Sequence, residues 1–486
     1  MPTLAQSDTH ADATQAAPIA VIGAGPVGLA AAAHLLARGL EPVILEQAEK
    51  PGAAVLDWGH VPMFSSWEFN VDRIARAMLE KTGWTMPDPD DYPTGRELTE
   101  RYLAPLAALP DIASRLRLGT RVTGVARTRV GKVRSSGRAD AAFELRIVDR
   151  HGWESSLRAS AVIDATGTWT TPNPAGANGL PALGEEAASD RIHYGMPDVL
   201  GAERERYAGR SILVVGSGHS AVGTLIDLAV LAREEPETEI LWARRRETET
   251  VFGGGEADQL PRRGALGETV RKLVADGTIT VVAPFFIDAV SRAPDGGLLV
   301  SGDGADEDLV LSADEMIVAT GLRPDLEFLR EVRLDLDPAL DCPRTLAPLI
   351  DPNIHSCGTV RPHGAVELAQ PEPDLFILGM KSYGRAPTFL LATGYEQARS
   401  VAAWLAGDLE AAKRVELALP ETGVCSGPGN TETDGGCCDP IPAEEMATAD
   451  ACCAQDADAK ATGLDGCGCE PAKPAASGAG CCGARA

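Results

Sequence analysis

Three glycines near the amino terminus are spaced for contact with a pyrophosphate. Gly23, Gly25 and Gly28 form the pattern G-x-G-x-x-G directly after the apolar residues 18–22. In that setting the first glycine makes a tight turn, the second lets the backbone approach the phosphates, and the third packs a helix against the strand. Glu46 ends the next apolar run, where a carboxylate accepts hydrogen bonds from ribose hydroxyls. These residues predict a first dinucleotide site.

A second turn of the same kind follows the apolar residues 211–215. Its predicted binding residues are Gly216, Gly218, Ser220 and Ala221. The next apolar run ends in the basic residues Arg244 and Arg245, and no acidic residue stands there to bind a ribose 2′-hydroxyl. Guanidinium groups at that place suit a 2′-phosphate, so the second turn predicts NADPH rather than NADH. A solvated basic loop is the alternative interpretation.

Four further glycines are predicted to border the bound dinucleotides. Gly167 and Gly321 each end an Ala-Thr-Gly turn that follows an apolar strand. Gly379 follows the apolar residues 375–378, and Gly394 lies in the first turn of a predicted helix over 391–405. The amino terminus of that helix would stabilise negative charge on a bound ring system. An ordinary amphipathic helix is the alternative.

Acid–base and thiol chemistry has three candidates, which are His60, His193 and Cys357. Imidazole titrates near neutral pH, and a thiolate is a nucleophile and a redox group. A single histidine in a loop is nevertheless more often structural or solvated. Cys342 is the only other cysteine before residue 424, and no Cys-x-x-Cys motif occurs in that part of the chain.

The carboxyl-terminal segment is rich in closely spaced cysteines. Its predicted metal ligands are Cys437, Cys438, Cys452, Cys453, Cys467, Cys469, Cys481 and Cys482. Thiolates favour soft ions such as Cu(I), Zn(II) and trivalent arsenic. The spacing varies and no histidine follows, unlike a zinc finger or ferredoxin. The pattern predicts capture of a soft metal or metalloid, and low-complexity drift is the alternative.

The elements that must position these residues occur in the order strand, glycine turn, helix, strand, and this order occurs twice. Such units form parallel α/β structure, so we predict two Rossmann-like domains. The alternating residues 120–127 and 142–148 predict a small antiparallel sheet between the two units. Helices are predicted over 71–82 and 96–108.

Composition excludes several classes of protein. The formal charge of −26 argues against a nucleic-acid partner, because phosphate binding needs clustered lysine and arginine. No apolar run approaches the roughly 20 residues that cross a bilayer, and the amino terminus lacks the pattern of a signal peptide. We therefore expect no membrane partner and a cytoplasmic location. An oligomer is left open.

The two glycine turns, taken with the segments around them, resemble those of a known protein family. Residues 18–408 resemble flavin-containing monooxygenases and the wider pyridine-nucleotide-disulfide oxidoreductase group that includes thioredoxin reductases. Residues 181–185 and 192–194 are similar to the monooxygenases' linker signature, although Leu183 stands where that signature begins with an aromatic residue. Residues 63–67 are similar to a stretch that lines the flavin. The cysteine-rich tail is similar to flavoproteins encoded with bacterial arsenic-resistance genes.

The resemblance implies domains and cofactors. It implies an FAD-binding domain over 18–207 and 324–418, with an NADPH-binding domain over 208–323 inserted in it. Residues 1–17 are predicted to be a disordered lead, and 419–486 a disordered cysteine-rich tail.

The activity that the resemblance implies is NADPH-dependent oxygenation of a small soft nucleophile, a sulfur or arsenic compound, by O₂ through a C4a-peroxyflavin. The alternative is an FAD-dependent disulfide or metalloid reductase. The two differ in whether a thiol pair stands beside the flavin.

Overall fold

Two parallel sheets form the framework of the part of the chain that the structure describes. The computed structural model describes residues 17–247, 261–353, 363–386 and 389–417, all of which belong to one unit, residues 1–429. A second unit, 430–486, lies outside the described residues. The predicted tail 419–486 and most of the predicted lead 1–17 lie outside them too.

Apolar runs of three to five residues form most of the strands in these two sheets, because a strand buried on both faces has no polar side to present. The strands are β1 (Ile19–Ile22), β2 (Pro42–Leu45), β3 (Leu116–Arg117), β4 (Thr120–Arg127), β5 (Phe143–Asp149), β6 (Glu154–Ala159), β7 (Ala161–Asp164), β8 (Ile192–Tyr194), β9 (Ser211–Val215), β10 (Glu239–Ala243), β11 (Thr280–Val282), β12 (Phe286–Arg292), β13 (Leu298–Asp303), β14 (Asp308–Ala313), β15 (Glu315–Val318) and β16 (Leu375–Ile377).

Both large sheets are parallel and have five strands. The first has the order β16-β7-β1-β2-β3, and the second has the order β11-β10-β9-β15-β8. Two antiparallel sheets, β4-β5-β6 and β12-β13-β14, accompany them. The predicted α/β fold and the predicted antiparallel sheet are confirmed.

Helices pack on these sheets through small and apolar side chains. The α-helices are α1 (Pro26–Ala37), α2 (Ala53–Asp57), α3 (Trp67–Asn70), α4 (Arg73–Glu80), α5 (Gly95–Leu98), α6 (Ala104–Ala107), α7 (Pro110–Ala113), α8 (Arg204–Tyr207), α9 (His219–Glu234), α10 (Pro261–Ala275), α11 (Ala347–Ile350), α12 (Ala365–Leu368), α13 (Leu391–Leu405) and α14 (Leu409–Lys413). Short 3₁₀ helices span Glu186–Arg191, Glu327–Leu329 and Gly379–Tyr383. No helix among the described residues has the length and apolar character that a membrane crossing requires.

The helix predicted over 96–108 is observed as one continuous helical stretch, in which a π-helical segment at Thr99–Leu103 lies between α5 and α6. Pro105 explains the π-helical segment because it has no N–H to donate to the carbonyl of Arg101. The indole N–H of Trp84 donates to that carbonyl instead, at 2.8 Å. The helix predicted over 391–405 is confirmed as α13.

The second sheet starts earlier in the chain than the predicted boundary at residue 208. β8 pairs with β15 in parallel, so Ile192–Tyr194 belongs to the second sheet. The sequence placed these residues in the first domain because three residues are too few to show a strand pattern by themselves. Only the pairing assigns them.

Candidate active site

The first glycine turn has the tight packing that its pattern predicts. Gly23 has φ 102°, and a Cβ built there would lie 2.7 Å from the carbonyl oxygen of Ala165. A Cβ on Gly28 would lie 2.0 Å from the carbonyl oxygen of Gly23. Neither position can hold a side chain, because real Cβ atoms do not approach backbone oxygen this closely. The turn, α1 and the loop after β7 are therefore fixed together.

Gly25 differs from Gly23 and Gly28 because the space around it is open. A Cβ built there meets no atom within 4 Å, and its φ of −77° is ordinary for any residue. Gly25 is the N-cap of α1, and no side chain caps that helix end. Free N–H groups and open space at a helix amino terminus fit a pyrophosphate.

The carboxylate of Glu46 is held at the end of β2. Its Oε2 accepts from the N–H of Ala24 at 2.7 Å, and its Oε1 accepts from the N–H of Ala48 at 2.9 Å. Each carboxylate oxygen has a second acceptor position. Glu46 therefore fastens the glycine turn and keeps the capacity to accept from a ribose hydroxyl.

The second turn repeats the first in its geometry. Gly216 has φ 129°, and a Cβ there would lie 2.3 Å from the carbonyl oxygen of Ala319. Gly218 is the uncapped N-cap of α9, and a Cβ there meets nothing within 4 Å. Ala221 is fully buried at the helix–strand contact, and Ser220 lies in the first turn of α9. The observed space fits a second pyrophosphate.

The two predicted phosphate-binding arginines have different environments. Arg244 is only 8% exposed, and its guanidinium lies 4.5 Å from the centre of the Trp242 ring. Burial lowers the pKa of Arg244. Arg245 is exposed and donates from one terminal nitrogen to the carbonyl of Ala177 at 3.0 Å. Of the two, Arg245 is the one that solvent and a nucleotide can reach.

The four remaining predicted glycines fall into two groups. Gly167 and Gly321 have φ of 69° and 94°, as the turns after β7 and β15 require. Gly379 and Gly394 both approach Val27: a built Cβ would lie 3.2 Å and 2.5 Å from its methyl group. Their small size lets α13 and the turn after β16 pack closely on α1. A cofactor contact at these two positions stays a prediction.

His60, in the loop after α2, lies within electrostatic reach of His193 in β8. His193 Nδ1 is 3.4 Å from Oε1 of Glu203, and burial lowers the pKa of His193 despite that carboxylate. The charge of His60 acts on both His193 and Asp227 of α9. The structure thus brings two sequence-predicted histidines together with an aspartate that the sequence did not indicate.

Asp227 gives a prediction for stability. Burial raises its pKa to about 6, opposed by the charge of His60. A raised carboxyl pKa favours folding below the unfolded value and loses that contribution as pH rises through about 6. Asp227→Asn should therefore raise the free energy of unfolding at pH 7.5 by roughly 1–2 kcal/mol, with no gain below pH 4.

Thermal unfolding at both pH values measures this effect. The exposed Asp140→Asn is the matched control and should change neither melting temperature. An equal gain from Asp227→Asn at both pH values would show that the charge of Asp227 is not the cause.

Cys342 is the one cysteine among the described residues. Its side chain is buried, and burial together with Asp337 raises the pKa of its thiol to about 12. It is therefore protonated at neutral pH and a poor nucleophile. The predicted catalytic Cys357 and the eight predicted cysteine ligands of the tail lie outside the described residues.

Sequence reasoning missed a buried ion pair beside the first turn. Lys381 Nζ lies 2.6 Å from Oδ2 of Asp164, and both side chains are 0% exposed. Asp164 ends β7, and Lys381 lies in the 3₁₀ helix after β16. Only strand pairing places them together. The sequence contained one indication of a buried charge, because Asp164 ends an apolar strand directly before an Ala-Thr-Gly turn.

Comparison with known proteins decides the family. The family model described as pyridine nucleotide-disulphide oxidoreductase matches residues 20–344, which is more than half of the chain. The chain belongs to this family. It is therefore an oxidoreductase, and the predicted resemblance to the group is confirmed. The match contains both glycine turns and Cys342, and ends before α13.

Its relatives include reductases and monooxygenases. A ferredoxin–NADP reductase of Lactobacillus delbrueckii is 26% identical over 66% of this chain and 80% of its own length. The bacillithiol disulfide reductase of Bacillus cereus has a TM-score of 0.56 at 19% identity, covering 81% of this chain and 99% of its own. The FAD-bound cadaverine monooxygenase DfoA of Erwinia amylovora has a TM-score of 0.56 at 15% identity, covering 85% and 99%. These structural likenesses establish the shared fold.

Proposed function

We propose that this protein is an NADPH-dependent FAD monooxygenase that oxygenates a soft nucleophile, a sulfur or arsenic compound. FAD would occupy the turn at Gly23–Gly28, and NADPH would occupy the turn at Gly216–Ala221. The cadaverine monooxygenase that shares the fold binds FAD, which supports the first assignment. FAD held at the Gly23–Gly28 turn would supply the redox chemistry, namely hydride acceptance from NADPH and electron transfer to O₂.

The protonation and burial of Cys342 are the observations that favour oxygen as the electron acceptor. A disulfide reductase passes electrons through a thiol that must ionise, and the pKa of Cys342 is raised to about 12 by burial. Its side chain is 0% exposed, so a disulfide substrate cannot reach it. The described residues therefore favour oxygen over a thiol pair, in agreement with the monooxygenase-like linker of residues 181–194.

Glu185 explains why that linker has a defined shape. Its carboxylate accepts from the N–H of Ala175 at 2.9 Å, from the N–H of Ala182 at 2.7 Å and from the hydroxyl of Tyr194 at 2.6 Å. The linker thus reaches β8 as an ordered segment. The contact with Tyr194 also holds His193, the preceding residue of β8, in place. We propose His193 and His60 as acid–base groups.

Labelled oxygen tests the proposed reaction. The balanced reaction is NADPH, H⁺, O₂ and a sulfide giving NADP⁺, water and a sulfoxide. Purified protein supplied with NADPH, ¹⁸O₂ and thioanisole should form sulfoxide that carries one ¹⁸O atom. Phenylarsine oxide is the parallel arsenic probe and should gain one ¹⁸O on oxidation to the pentavalent acid. Cys342→Ala should retain this activity.

The disulfide reductase is the second candidate, since the bacillithiol disulfide reductase shares the fold. Anaerobic NADPH oxidation that depends on an added disulfide would support it and contradict the monooxygenase. Loss of that activity in Cys357→Ala would then assign the redox thiol. NADPH oxidation that yields only hydrogen peroxide with both probes would overturn oxygenation as well.

The exposure of Arg245 gives a prediction for nucleotide preference. Arg245→Ala should raise the KM for NADPH by about 10- to 150-fold, because a charge-assisted phosphate contact contributes on the order of 1.5–3 kcal/mol. The KM for NADH should change little. Arg244→Ala should mainly lower the melting temperature, because it empties a buried position against Trp242. Equal changes in both KM values for Arg245→Ala would contradict the 2′-phosphate assignment.

A further inference from the structure

A buried lysine links the segment after β16 to the turn after β7. Lys381 Nζ donates to Oγ1 of Thr166 at 3.0 Å and lies 2.6 Å from Oδ2 of Asp164. Its third contact is the Phe328 ring, with the centroid at 4.4 Å. The Thr166 hydroxyl accepts a hydrogen bond from the ammonium group, the Asp164 carboxylate balances its charge, and the Phe328 ring makes a cation–π contact with it.

The same contacts fix the conformation of the turn after β7. Oδ1 of Asp164 accepts from the backbone N–H of Thr166 at 3.1 Å and from its hydroxyl at 2.7 Å. Thr166 therefore donates its hydroxyl proton to Asp164 and accepts from Lys381. The contacts among these three side chains restrain the conformation of the turn.

The turn at residues 165–167 packs directly against the first glycine turn. The carbonyl oxygen of Ala165 lies 2.7 Å from the position of a Cβ on Gly23, and the Ala165 side chain lies 3.5 Å from that of Gly28. Any displacement of residues 165–167 therefore changes where the backbone of Gly23 can lie. Lys381 acts on this geometry from the 3₁₀ helix after β16.

We propose that Lys381 is a positioning residue for FAD, which holds the pyrophosphate turn in its binding conformation through Asp164 and Thr166. The inference rests on the proposed binding of FAD at Gly23–Gly28. Because Lys381 is 0% exposed and paired with a carboxylate, its charge does not meet the phosphates. It differs in this respect from a lysine that binds phosphate directly.

The dissociation constant of FAD, measured from fluorescence released on dilution of the holoenzyme, tests this role. Lys381→Met should raise it by at least 10-fold and should change the visible circular dichroism of the flavin that stays bound. Thr166→Val keeps both charges and removes only the bridging hydroxyl, so a smaller increase of several-fold is expected. Lys381→Met alone leaves the buried carboxylate of Asp164 without its partner. The double variant Lys381→Met/Asp164→Asn removes that unpaired charge and should still bind FAD weakly.

Arg127→Met is the matched control. Arg127 Nε lies 2.8 Å from Oε1 of Glu372, whose other oxygen binds Arg138, and this ion pair is about as buried as Lys381–Asp164. Glu372 precedes β16 whereas Lys381 follows it. The two pairs thus lie at opposite ends of the same strand. Arg127→Met should lower the melting temperature and leave the FAD dissociation constant within twofold of wild type.

Three outcomes would overturn the inference. These are an FAD dissociation constant within twofold of wild type in Lys381→Met, an equal increase in Arg127→Met, or recovery of full affinity in the double variant. Should Lys381→Met fail to fold, Thr166→Val decides, because its side chain is exposed and unchanged affinity there would contradict the tether. A wild-type protein without FAD would instead refute the proposed function itself.

Discussion

Gly25→Val is expected to give a folded protein that purifies without flavin. The backbone of Gly25 has φ −77°, so valine causes no conformational strain, and a Cβ there meets no protein atom within 4 Å. The branched side chain would fill the space that a pyrophosphate needs at the amino terminus of α1. Binding of FAD should fall by at least 100-fold, and the ratio of 450 nm to 280 nm absorbance measures the loss.

Gly131→Val is the matched control. Its added Cβ also meets nothing within 4 Å, but it lies in the exposed loop after β4, away from both glycine turns. This protein should purify yellow with normal flavin content. The circular dichroism of Gly25→Val should show the same helix content as the control, which separates loss of cofactor from loss of fold. A yellow Gly25→Val protein of normal stoichiometry would refute the first turn as the FAD site.

Gly218→Val should have the opposite signature, a yellow protein that NADPH no longer reduces. Gly218 caps α9 as Gly25 caps α1, and the space around its Cβ position is equally open. Valine there would exclude the nucleotide pyrophosphate from the second turn while leaving the first untouched. We expect kcat/KM for anaerobic flavin reduction by NADPH to fall at least 100-fold. Flavin content should equal that of wild type.

Gly223→Val controls for a change in α9 itself. It adds the same side chain one turn further along the helix, where a Cβ also meets nothing within 4 Å. NADPH should reduce this variant at close to the wild-type rate, and dithionite should reduce the flavin of all variants. Normal reduction of Gly218→Val by NADPH would show that the second turn does not bind the nucleotide.

Much of the fold could be predicted because its signals are local. A glycine with positive φ, an apolar strand and an uncapped helix occupy adjacent residues, so Gly23–Gly28 and Gly216–Ala221 could be recognised together with their elements. The antiparallel sheet β4-β5-β6 followed from alternation over eight residues. Pro105 shows the cause of the π-helical segment in the sequence itself, but the indole of Trp84 as the donor to the carbonyl of Arg101 could not be predicted.

The environment of each side chain was decided by tertiary structure. Arg244 and Arg245 are neighbours of one type directly after β10, yet the first is buried against Trp242 and the second is exposed. His60 and Asp227 lie more than 160 residues apart and act on each other only because the loop after α2 packs near α9.

Residues close together in the chain were enough to predict the family, the two glycine turns and the order of the elements. The pairings of β8 with β15 and of Lys381 with Asp164 became evident only in the folded structure. Both pairings depend on the order of parallel strands in a sheet, which joins segments distant in sequence. From the sequence, Lys381 is expected to be a solvated surface residue. The pairing of β16 with β7 buries it, and a buried ammonium group needs a carboxylate partner to offset the loss of hydration.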